Sequence, residues 1–220
     1  MSTEPRAGRA IRGLYAVTPE GLPGAELRSR VAAALRGGAA VVQYRNKSGD
    51  TNARLREAAA LRELCTHAGA LFIVNDDIPL ALEVDADGVH LGRDDGDLAA
   101  ARARLGGRMV GASCYNDWQA AEWAVAAGVD YIAFGSFFPS RIKPLAVRAD
   151  ASLLTRARAE LRVPVVAIGG IDLTNAGQLV SAGADALAVV SALFDTPDTE
   201  AQARRFADLF EHPHFHSETE

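Results

Sequence analysis

Between residues 71 and 95 the chain reads LFIVNDDIPLALEVDADGVHLGRDD, and its two apolar runs, FIV and GVHL, both end in acid. Asn75-Asp76-Asp77 follow the first run and Asp94-Asp95 the second, with a short helical pattern at 78–84 between them. A strand–helix–strand unit of this spacing delivers the C-terminal ends of two parallel strands to one edge of a sheet. Bare carboxylates gathered there repel, by roughly 4 kcal/mol per pair near 4 Å at an effective dielectric of about 20. A hard cation such as Mg²⁺ removes that repulsion, and one or two carboxylates plus substrate phosphates is its usual ligand set. Asp76 and Asp95 are the expected ligands, with Asn75 free to hydrogen-bond a substrate.

Other strand ends carry matching chemistry. In QYRNK, after the second run, Gln43, Arg45 and Lys47 alternate and so share one side of an extended chain. They make a clamp for a polyanion, Arg as a planar fork and Lys as a point charge. Ser113 follows the fifth run with Cys114 and Tyr115. No His stands with it in a recognisable triad order, so it is expected to hydrogen-bond rather than attack, and Cys114 to be an inert thiol. The longest loop, GSFFPSRIKPLAVRAD, offers Ser140, Arg141 and Lys143 for closure onto an anion. Gly169-Gly170 and Val190-Ser191 end the last two runs, where backbone N–H groups can approach a phosphate.

Positioning these groups requires alternating elements. Strands are expected at 14–17, 40–45, 71–75, 88–91, 109–113, 131–135, 165–168 and 186–190. Helices are expected at 25–36, 52–68, 78–84, 98–105, 117–127, 151–161, 173–182 and 199–211. Most strand runs are continuously apolar, as when both faces of a parallel sheet are buried. Thr51, Asn116 and Asp172 are expected N-caps. A weak repeat, RGGAAVVQYR, AAGVDYIAFG and SAGADALAVV, places Gly37, Gly128 and Gly183 at left-handed helix ends. Eight strand–helix units of about 25 residues predict a single-domain α/β protein, a (β/α)₈ barrel. A doubly wound sheet usually carries a Gly-rich nucleotide turn, and neither that turn nor a P-loop is present.

The chain has 220 residues and a net charge of −5, without basic runs, which argues against nucleic acid or an anionic membrane as partner. No apolar run approaches the ~20 residues needed to cross a bilayer. The N-terminus lacks the apolar segment of a secretory signal. Cys65 and Cys114 make no disulfide framework, so a cytoplasmic protein with reduced thiols is expected. Residues 1–12 and 212–220 read as tails around a domain at 13–211, and His212, His214 and His216 as a solvated segment.

These motifs together resemble thiamine phosphate synthases over residues 14–194. The family's Q-L-R-x-K appears as QYRNK, its N-D as Asn75-Asp76, its G-V-H-L-G-Q-x-D as GVHLGRDD, its G-V-S as GAS, and its F-P-T-x-T-K as FPSRIK; its I-G-G-I and V-S-A ends are also present. The resemblance implies coupling of an aminopyrimidine methyl diphosphate to a thiazole phosphate, with diphosphate leaving first and the thiazole nitrogen capturing a pyrimidine methyl cation. It implies Mg²⁺ on Asp76 and Asp95, returning Asp77, Asp94 and Asp97 to helix starts. It implies a pyrimidine diphosphate site of Gln43, Tyr44, Arg45, Asn46, Lys47, Asn75, Ser113 and Lys143, and a thiazole phosphate site of Ser140, Arg141, Ile142, Gly170, Val190 and Ser191. Arg45, Lys47, Ser113 and Lys143 are the expected catalytic residues. The chain departs from the pattern at Tyr44, Arg93, Cys114-Tyr115 and Ile142, the last removing a hydroxyl from the thiazole phosphate site. Two other readings compete: a thiazole tautomerase, for which Ser136 stands where a His is needed, and a non-catalytic binder of thiazole or thiamine phosphates.

Overall fold

Period-two alternation along each strand sorts its side chains into two layers, and a computed structural model describing residues 10–93, 95–139 and 147–211 shows both. Strands β1 (Gly13–Val17), β2 (Val41–Tyr44), β3 (Leu71–Asn75), β4 (Gly88–Leu91), β5 (Met109–Tyr115), β6 (Tyr131–Gly135), β7 (Val165–Ile168) and β8 (Ala186–Val189) pair in parallel with their sequence neighbours. β8 then closes on β1. Inward residues such as Tyr15, Val41, Ile73, Tyr131, Val166 and Ala188 fill the interior. Their outward neighbours, including Leu14, Val42, Phe72, Val89, Ile132 and Leu187, pack beneath the helices. The expected (β/α)₈ barrel is the observed architecture.

The surrounding helices are α1 (Gly24–Arg36), α2 (Thr51–Ala68), α3 (Ile78–Glu83), α4 (Leu98–Leu105), α5 (Trp118–Ala126), α6 (Ser152–Glu160), α7 (Ala176–Ala182), α8 (Ser191–Phe194) and α9 (Thr199–Glu211). Among the described residues, no helix is long and apolar enough to cross a membrane.

Several local expectations are corrected. The cap of α2 is Asp50, whose carboxylate accepts from the Ala53 N–H, and Thr51 is the first helical residue. Asp117, not Asn116, caps α5. A carboxylate next to the expected residue wins in both places, one before Thr51 and one after Asn116. Asp172 instead accepts from the N–H and hydroxyl of Thr174, shaping a turn that delays α7 to Ala176. Gly128 and Gly183 are left-handed as expected, but Gly37 is not: its φ is −79°, and Gly38 takes the positive φ. Gly37 is required by crowding, since a Cβ there would meet the Glu200 carbonyl at 2.3 Å. Strand β5 continues two residues beyond its expected end, through a register shift between Ser113 and Tyr115. The four-residue α8 was not expected from the sequence.

Candidate active site

At the C-terminal end of the barrel the strands open into a cavity of about 780 Å³. Its walls include Gln43 and Arg45 from the end of β2, Asn75 from β3, Ser113 and Tyr115 from β5, Gly169-Gly170 after β7 and Val190-Ser191 after β8. All of these but Tyr115 were expected, and they come together from five different strands. Apolar side chains, Val17, Val166 and Ile168 among them, form much of the remaining wall.

The cationic side follows the alternation of the segment after β2. Gln43 points inward and is buried, while the Arg45 guanidinium lies 2.7 Å from Glu20. The Arg45 N–H donates to Thr18 Oγ1 at 2.9 Å, fastening this segment to the end of β1. The side chains of Tyr44 and Asn46 point the other way, so the structure does not bring them together with the cavity wall. The Tyr44 hydroxyl donates to Glu57 at 2.6 Å and the Asn46 amide to the same oxygen at 3.0 Å, so both side chains engage α2. Tyr44 is only 2% exposed, part of the layer under the helices.

Beside this segment lies the acidic corner. Asp76 adopts φ 63°, and its N–H donates to the His90 carbonyl at 2.9 Å. Its carboxyl group is pushed up to about 6 by burial and by the adjacent Asp95 carboxylate, against a smaller opposing pull from Lys47. Lys47 Nζ is 3.6 Å from Asp76 Oδ2. Asp95 accepts from the Gly92 N–H at 2.7 Å. Two mutually repelling carboxylates, with one lysine partly offsetting them, form a donor set that suits a divalent cation. No cluster of three or more His, Cys, Asp or Glu side chains suited to a metal occurs among the described residues. Asp77 and Asp97 cap α3 and α4. Asp94 lies outside the described residues, as do Ser140, Arg141, Ile142 and Lys143. Arg93 turns from the acidic pair, its guanidinium over the Tyr115 ring at 5.0 Å and 3.6 Å from Asp117.

Gly169 and Gly170 have φ of 103° and 66°, and a Cβ at either would run into the segment after β6, Ser136 Oγ at 2.1 Å or the Pro139 carbonyl at 2.4 Å. The pair is needed where that segment crosses the mouth. Cys114 points outward, and burial pushes its thiol up to about 12, which keeps it protonated near pH 7.

Sequence reasoning missed the buried polar residues of the interior. His90 Nε2 lies 2.8 Å from Ser113 Oγ, and its Nδ1 lies 3.1 Å from the Tyr131 hydroxyl. Tyr131 contacts Tyr15 at 2.9 Å, and Tyr15 accepts from the Gln43 amide at 2.8 Å. Burial drives the His90 imidazole down to about 4 and both phenols upward, so all three are neutral near pH 7. Alternation could have found His90, the inward residue of GVHL. Glu20 was also missed, as a single carboxylate in a loop.

A sequence profile of the family described as thiamine monophosphate synthase matches residues 14–193. The chain is 58% identical to the thiamine-phosphate synthase of Chromobacterium violaceum over 201 residues, 91% of this chain and 97% of that protein. It is 54% identical to that of Aromatoleum aromaticum, covering 91% and 97%. The structure of thiamine phosphate pyrophosphorylase from Pyrococcus furiosus superposes with a TM-score of 0.83 at 32% identity, covering 94% of this chain and 98% of that one.

Proposed function

Because the chain belongs to the thiamine monophosphate synthase family, we propose that its cavity joins an aminopyrimidine methyl diphosphate to a thiazole phosphate. The enzyme is a transferase, a thiamine-phosphate synthase. The observation that supports this chemistry best is the facing pair Asp76 and Asp95, with Lys47 3.6 Å from Asp76, on a rim that directly follows Asn75 of the cavity wall. That rim can hold a leaving diphosphate, and no activated nucleophile accompanies it among the described residues. Cys114 is buried and protonated. His90, neutral and partnered by a phenol rather than a carboxylate, does not make Ser113 a triad serine.

In the proposed reaction Arg45 and Lys47, with Lys143, draw in the diphosphate and neutralise charge as it departs. Gln43, Asn75 and Ser113 hydrogen-bond the pyrimidine substrate, while the apolar wall takes its ring and excludes water. The bond from the pyrimidine methylene carbon to oxygen breaks, its electron pair leaving with diphosphate. The thiazole nitrogen then gives its lone pair to the resulting cation. Ser140, Arg141, Ile142, Gly170, Val190 and Ser191 are proposed to hold the thiazole phosphate. Mg²⁺, held by Asp76 and Asp95, would supply Lewis-acid stabilisation of the leaving group.

Incubation of pure protein with both substrates and Mg²⁺ tests the reading. Thiamine phosphate and diphosphate are expected in equal amounts, and Asp95→Ala is expected to lower turnover by about a hundredfold or more. Absence of product while the thiazole phosphate still binds would refute synthase activity. An Asp95→Ala rate near that of the unmodified enzyme would refute the metal assignment.

A further inference from the structure

Five side chains form an unbroken hydrogen-bonded chain across the barrel interior: Gln43, Tyr15, Tyr131, His90 and Ser113. All but Ser113 are buried, and all five line the floor and wall of the cavity. Each of the two phenols carries a single proton, so a direction set at one end passes to the other. Gln43 Nε2 sets it, donating to the Tyr15 oxygen at 2.8 Å. Tyr15 must then donate its own hydroxyl proton to Tyr131, its other partner. Tyr131, having accepted, has its one proton left for its other partner, so His90 Nδ1 is the acceptor. His90 is left with its proton on Nε2, aimed at Ser113 Oγ.

Resting on the transferase reading of the cavity, we propose that this chain is polarised from Gln43 to Ser113 and fixes the Ser113 hydroxyl as a donor to an acceptor atom of the pyrimidine diphosphate. His90 and Tyr131 are positioning residues: each acts through its neighbour in the chain and determines which way the serine proton points. A donor oriented before substrate arrives needs no reorganisation during the reaction, whereas a serine free to donate to His90 would often present a lone pair to an anionic substrate. Glycine at 111 belongs to the same device. A Cβ there would overlap the Tyr131 ring at 2.0 Å, so only this residue admits the phenol to its place between Tyr15 and His90.

The test reads the proton directly. The full chain is labelled with ¹⁵N-histidine, and the His90 ring signals are identified by their loss in His90→Gln. Without substrates at pH 7.5, His90 is expected as the Nε2–H tautomer with an unprotonated, hydrogen-bonded Nδ1. In Tyr131→Phe, which deletes only the relay hydroxyl, the tautomer is expected to become mixed. kcat is expected to fall about tenfold or more, with a smaller change in KM. An Nδ1–H tautomer in the unmodified protein would overturn the proposal, because the chain would then run the other way. So would a lowered kcat in Tyr131→Phe with the tautomer unchanged, since the phenol would then act by packing alone. Should that variant fail to fold, the tautomer of the unmodified protein decides the question. An Nε2–H tautomer in a protein that makes no thiamine phosphate would leave the polarity standing and overturn the substrate assignment.

Discussion

At Asp76 the backbone is held left-handed and the carboxyl group faces a second carboxylate, with Lys47 at 3.6 Å offering partial relief. This arrangement opposes folding and favours a cation, so the two effects can be separated. Asp76→Asn keeps a residue that tolerates positive φ and removes one of the repelling charges. In the presence of EDTA the variant is expected to unfold at the same temperature as the unmodified protein or up to about 4 °C higher. Turnover with Mg²⁺ is expected to fall about a hundredfold. A melting temperature lowered by several degrees in EDTA would show that the carboxylate serves the fold instead. Asp76 and Asp95 were legible in the sequence because charges interrupt apolar runs where strands end. His90, Tyr15 and Tyr131 were not, because each sits inside an apolar run and reads as core until alternation assigns it inward. The side-chain directions of Tyr44 and Asn46 were missed in the opposite sense. Motif spacing gathered them with Gln43 and Arg45, while the pleat turned them toward Glu57 on α2.

Helix α1 meets α9 where the chain returns to β2, and this closing contact explains the first glycine of RGG. Gly37 is approached by the Glu200 carbonyl and, at 2.5 Å from where a Cβ would lie, by the Ala203 methyl. Arg36 adds a surface contact to Glu200 at 2.7 Å. Backbone cannot swing aside as a side chain can, so Gly37→Ala is expected to push α9 outward and cost about 1–3 kcal/mol. Thermal unfolding should shift down by about 2–12 °C, while the folded fraction keeps its kcat because α9 lies away from the cavity mouth. An unchanged melting temperature would mean that α9 is not seated firmly against α1. Element order and most strand bounds were legible, since eight apolar runs broken by helical patterns admit few topologies. Helix starts were less so. Neighbouring polar residues such as Asp50 and Thr51, or Asn116 and Asp117, compete for the same N–H groups, and only geometry selects the one that caps. Gly37 was misassigned for a related reason: a glycine needed for space looks identical in sequence to one needed for φ.

Across the whole molecule, polar groups gather at the mouth and in the interior relay, whereas the layer between strands and helices is kept apolar and takes both thiols. Cys65 on α2 and Cys114 on β5 are buried there, and burial pushes each up to about 12 from an ordinary value of 9. A group whose folded value lies above its unfolded one contributes stability that is complete below the unfolded value. That contribution is lost as pH rises toward the folded value. The window is therefore pH 9 to about 12, and near pH 10 the two thiols together should cost about 3 kcal/mol relative to pH 8. Urea unfolding followed from pH 8 to pH 10.5 measures this limb. Cys65→Ala combined with Cys114→Ala will lower the plateau at pH 8, because each substitution leaves a small cavity, but it should flatten the fall above pH 9. Buried phenols such as Tyr15 and Tyr131 remain in both proteins, so the difference in slope belongs to the thiols. Equal slopes would show that water reaches the layer beneath the helices and that the barrel is less tightly sealed than its packing implies.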